Sequence, residues 1–63
     1  MEQKDIIFIK AMFKERFSFM EDWVIIWNMM KEDIISDIEE TADKDFTSGD
    51  VDIAIERTLL NRL

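Results

Sequence analysis

Apolar residues recur along this chain at intervals of three and four, the spacing of one face of an α-helix. In the first segment Ile6, Ile9, Phe13 and Phe17 follow that rhythm, and Met20 extends it. Phe8 and Met12 widen the stripe, while Lys10, Lys14 and Ser18 lie on the other side. The pattern predicts a helix over 3–17. Ser18 and Glu21 then have the separation of a capping box, in which a hydroxyl meets the N3 amide and a carboxylate returns to the N-cap amide. Glu21 and Asp22 add negative charge where a helix N-terminus favours it. A second helix is therefore expected over 19–42. One long helix running through Ser18 is the alternative, since no Gly or Pro interrupts it.

The second helix carries Trp23, Trp27, Met30, Ile34 and Ile38 as its main stripe. Ile26 flanks one side of it, and Val24 and Ile35 the other. The third segment has its own start signal: Phe46 at N′, Thr47 at the N-cap, Asp50 at N3 and Val51 at N4, a cap with a hydrophobic staple. Val51, Ala54, Ile55, Thr58 and Leu59 then share a face, which predicts a helix over 48–62. A strand competes at its beginning, where Val51, Ile53 and Ile55 alternate with Asp52, Ala54 and Glu56. The residues from Glu56 onward break that alternation.

The expected fold is all-α, a single helical domain over 1–63. It is a hairpin of two longer antiparallel helices plus a shorter third helix. Its core is expected from Ile9, Phe13, Phe17, Trp23, Trp27, Met30, Ile34, Val51, Ile55 and Leu59. Four apolar residues are left over. Ile25 and Met29 share a face with Glu32, Ser36 and Glu40, and Ile53 and Leu60 lie opposite the third helix's core stripe. A surface helix rarely carries two apolar strips. They are either tolerated exposed residues or a contact surface. A 63-residue chain with no metal or disulfide has little stability in reserve. The four residues are therefore expected at the interface of a homodimer.

Composition narrows the chemistry. With 8 Lys+Arg against 15 Asp+Glu the net charge is −7, and there is no Cys, His, Pro or Tyr. Without Cys or His there is no zinc site, thiol nucleophile or imidazole base. The excess of acid argues against direct binding of a phosphate backbone, and Trp23 and Trp27 lack the basic surroundings of a base-stacking platform. No apolar run is long enough to span a membrane, and the start lacks the marks of a signal peptide. A cytoplasmic location is expected.

Asp43, Asp45 and Thr47 resemble the first three ligand positions of a calcium loop. The match fails at Ser48, where Gly belongs, and at Ala54, where a bidentate Glu belongs. No metal site and no cofactor is expected. Glu39 and Glu40 point about 100° apart on a helix and do not converge for acid–base work. Ser18, Ser36 and Ser48 have no His to activate them. The chain is expected not to be an enzyme.

Charge is unevenly placed. Residues 21–45 hold two bases and nine acids, which accounts for a net of −7, against +1 in 1–20 and −1 in 46–63. Glu39, Glu40, Asp43 and Asp45 sit at the expected end of the second helix, where negative charge opposes the macrodipole. One reading is solubility and fraying of the helix end. The other is a negative surface that steers a basic protein partner.

In its size, its Met1-Glu2-Gln3-Lys4 start and its Ile/Met/Phe-rich character the chain resembles the small acidic early accessory proteins of lambdoid bacteriophages, encoded between exo and xis. The resemblance implies an early cytoplasmic regulator acting by protein contact on host physiology or on the lysis–lysogeny choice. It implies no catalytic residue. A structural subunit of a helical oligomer, or an antitoxin-like neutraliser of a basic protein, stands beside that expectation.

Overall fold

Three helices make up the computed structural model, which describes residues 1–42 and 45–62. They are α1 (Gln3–Arg16), α2 (Trp23–Thr41) and α3 (Ser48–Arg62), and no strand occurs among the described residues. The all-α reading holds. The third helix, at 15 residues, is no shorter than the first, at 14, so the expected ranking of lengths does not.

The start of α2 also differs from expectation. Residues 17–22 form a non-helical connection of two turns, at 17–19 and 21–22, and α2 begins at Trp23 with Asp22 as N-cap, not near Phe19. Neither one continuous helix nor a Ser18 cap fits, for a geometric reason. Phe13 meets Trp27, with ring centroids 5.4 Å apart, so the chain must reverse between them. A reversal needs several residues of connection, and a single cap residue cannot supply them. The Met20 N–H donates to the Phe17 carbonyl at 3.0 Å inside that connection.

α3 starts where the sequence places it. The Thr47 N–H donates to Asp50 Oδ2 at 2.8 Å, and the Asp50 N–H donates back to Thr47 Oγ1 at 3.4 Å. These reciprocal bonds satisfy two backbone donors that the helix start would otherwise leave bare. Phe46, at the N′ position, packs against the core cluster to which Val51 belongs.

The core is a single cluster contributed by all three helices: Ile9 and Phe13 from α1, Trp27, Met30, Ile34 and Ile38 from α2, Val51, Ala54 and Ile55 from α3. Phe17, Trp23 and Leu59, expected inside, are half-buried and packed against it. Ile38 and Ala54 join the seven expected residues that are buried, because they continue the same helical stripes. Thr58 is the one buried polar residue among those described, and its hydroxyl donates to the Ala54 carbonyl at 2.8 Å. No buried side-chain polar atom among the described residues lacks a partner.

Candidate functional site

A small core that closes this completely leaves function to the outside. Between α2 and α3 runs a shallow groove lined by Asp33, Asp37, Glu40, Arg57, Asn61 and Arg62. Arg57 crosses it as a fork, with Nε 3.0 Å from Asp37 Oδ2 and Nη2 2.9 Å from Asp37 Oδ1. The same Nη2 donates to Thr41 Oγ1 at 3.3 Å. Farther along, Arg62 Nη2 donates to Asp33 Oδ2 and to the Met29 carbonyl, both at 2.8 Å. The two arginines therefore rivet α3 antiparallel to α2. Asp33, Asp37, Arg57 and Arg62 look like a charged cleft and are already committed to one another.

Sequence reasoning did not pick out these four residues. The signal was there: Asp33 and Asp37 are four apart, and Arg57 and Arg62 five apart, in reverse order. Opposed charges with nearly equal spacing are what two antiparallel helices need along their rim. The spacing has meaning only once the antiparallel pairing of those helices is known.

Of the acids expected to form a partner-binding surface, Glu39 and Glu40 diverge. Glu39 turns toward the start of α1, where its Oε2 lies 3.3 Å from the N-terminal ammonium of Met1. Glu40 lines the α2–α3 groove on a different side of the same helix. Asp45 lies near Glu39, along a second shallow groove shared with Met1 and Phe46. Asp43 lies outside the described residues. The backbone carries Glu39 and Glu40 to different neighbours because adjacent helix positions diverge. Among the described residues no three acidic, His or Cys side chains group as metal ligands would.

The four leftover apolar residues are exposed: Ile25 by 60%, Met29 by 61%, Ile53 by 51% and Leu60 by 64%. Each pair lies on its own helix opposite that helix's buried stripe, so the two pairs look out from different sides of the bundle. Ile7, at 59%, and Phe19, at 80%, are exposed as well, which sequence spacing had not singled out. Ile7 faces out because α1 buries only the narrow Ile9–Phe13 side.

The outward face of α2 combines both properties. Asp22, Ile25, Met29 and Glu32 are all exposed and lie along one line, acid at each end and apolar in the middle. The Asp22 carboxylate makes no capping hydrogen bond, so it stays available. Among the described residues no ion pair engages Asp22 or Glu32.

No family model matches the chain, and comparison with curated proteins and with solved structures gives no match. No described helix is long and apolar enough to cross a membrane.

Proposed function

We propose that this protein is a non-enzymatic interaction module that presents the outward face of α2 to a protein partner. The observation that carries this is the exposure of Ile25 and Met29 between two uncommitted carboxylates, on a domain whose core is otherwise filled. Apolar side chains ringed by charge are the usual make-up of a contact patch. A partner with basic residues around an apolar strip complements it, and opposite charge speeds encounter and fixes register. The acids at the end of α2 contribute to the general negative field. Of these, Glu39 already holds the Met1 ammonium, which leaves the outward α2 face as the contact we favour.

The resemblance to early lambdoid accessory proteins suggests the setting: a regulator in the host cytoplasm that works by binding a host protein or by shifting the lysis–lysogeny choice. The outward α2 face favours such a contact module over a neutraliser built on charge alone. The test is affinity capture with the wild-type chain and with Ile25→Asp/Met29→Asp, each checked for helicity by circular dichroism. A partner retained by the wild type and lost by the folded variant supports the reading. A partner retained equally by both sinks it.

A further inference from the structure

One stripe elsewhere on the molecule has the chemistry that the α2 face calls for. On α1 the residues Lys4, Ile7, Ala11 and Lys14 are all exposed. They succeed one another at steps of three, four and three residues, and so do Asp22, Ile25, Met29 and Glu32. Both stripes follow the seam spacing of paired helices and lie opposite their helix's buried residues. Superposed in either direction, the apolar pair Ile7–Ala11 meets the apolar pair Ile25–Met29. Each lysine then meets an acid. The small Ala11 side chain leaves room for Ile25 or Met29 to approach.

We propose that the α1 stripe of one copy docks on the α2 stripe of a second copy, so that the protein associates head to tail. The proposal rests on the α2 face being a contact surface, and it names a partner for it. The two stripes are different surfaces of one molecule, so the contact is heterologous and does not close at two copies. Existing engagements of these side chains are weak. Lys4 Nζ is 3.4 Å from Glu2 Oε2, with both side chains mostly exposed. Lys14 Nζ lies 5.6 Å from the centroid of the Trp23 ring. Both lysines reach a neighbouring copy by simple rotation of long side chains.

One helical stripe is smaller than a stable interface needs, so the association is transient, with a dissociation constant on the order of 0.1–1 mM. The rest of each chain is acidic, and this sets the sign of the salt effect. If Lys–acid contacts hold the copies together, salt weakens association. If a purely apolar contact brings two negative chains together, screening strengthens it.

Two blocked variants test the geometry directly. Ile7→Asp removes the α1 stripe and leaves the α2 stripe; Ile25→Asp/Met29→Asp does the reverse. Sedimentation equilibrium at about 1 mM protein and about 0.05 M salt should show each variant monomeric alone and a mixture of the two forming a 1:1 complex that grows no further. A two-fold contact through either face cannot give that result. Raising salt to about 0.5 M should weaken the mixed complex about tenfold. Lys4→Glu/Lys14→Glu should abolish wild-type association, and mixing that variant with Asp22→Lys/Glu32→Lys should restore a contact of inverted charge. A wild-type chain monomeric at these concentrations overturns the proposal, as does association that Ile7→Asp leaves intact. A foreign partner captured through Ile25 and Met29 by a chain that never self-associates would leave the interaction-module reading standing alone.

Discussion

The two seams of this bundle are made of different materials. Between α1 and α2 the contact is aromatic at its centre: Phe13, stacked on Phe17 at the end of its own helix with centroids 4.5 Å apart, tilts against Trp27 of α2 at 5.4 Å. Between α2 and α3 it is aliphatic inside, with Ile34 and Ile38 against Val51, Ala54 and Ile55, and ionic at the rim. Rings supply large buried area per residue and keep the helices apart. Ala54 is fully buried and adds little bulk, so α3 can come close enough for Arg57 and Arg62 to span to α2. The aromatic seam therefore stabilises through bulk. The aliphatic seam adds direction, because the bidentate Arg57–Asp37 pair, with Arg62–Asp33 beside it, fixes how far one helix slides along the other.

The largest break in this contrast should come from Phe13→Ala. It removes a fully buried ring shared with two aromatic neighbours, at a cost of about 3–5 kcal/mol. A domain of this size rarely holds more than about 3–5 kcal/mol, so the variant should lose its helical circular dichroism signal at room temperature. If Phe13→Ala melts only slightly below the wild type, the aromatic seam is not the main support.

The start of α3 should be next. Thr47→Ala removes the hydroxyl that accepts the Asp50 amide and should cost about 1 kcal/mol in urea unfolding. The uncapped start of α2 offers the contrast: Asp22→Ala should change stability by less, because that carboxylate makes no capping bond.

Gly49 gives a change in the opposite direction. It lies in the first turn of α3, and no glycine in the described structure has a positive φ. A Cβ added there meets only Thr47 Oγ1, at 3.5 Å, an ordinary contact. Gly49→Ala should raise stability by about 0.5–1 kcal/mol, read as a higher urea midpoint with unchanged slope.

The smallest effect should come from the rim of the aliphatic seam. The Arg57 side chain is 47% exposed and Asp37 19%, so solvent screens the pair, and a double-mutant cycle should return only about 0.5–1 kcal/mol. The coupling should shrink at high salt. A value near zero at every salt concentration would mean that α3 is positioned by packing alone.

What the sequence disclosed follows from how local each cause is. The α3 cap is written within four residues, Thr47 to Asp50, and was legible. The helical stripes are periodic, so seven core residues followed from them; Ile38 and Ala54 lie on the same stripes but were not expected in the core, and Phe17, Trp23 and Leu59 proved half-buried. The start of α2 was misplaced because the Ser18–Glu21 spacing imitates a cap, while the need to turn back comes from Phe13 meeting Trp27. The acids at the end of α2 could be counted in sequence, but the neighbours that Glu39 and Glu40 each meet are a tertiary fact. The matched stripes of α1 and α2 were written in the spacing, and became meaningful only when all eight side chains proved to face outward.

The chain contains no proline and no cysteine, and no described residue requires a left-handed backbone. Its helices follow one another through short connections, so many contacts join segments close in sequence. Refolding then meets neither prolyl isomerisation nor disulfide exchange, the two slow steps of small proteins. Topology of this kind folds in microseconds to milliseconds. A stopped-flow or temperature-jump trace of the emission of Trp23 and Trp27 should accordingly relax in one phase, with no slow tail. A newly made chain would be ready to bind almost as soon as it leaves the ribosome.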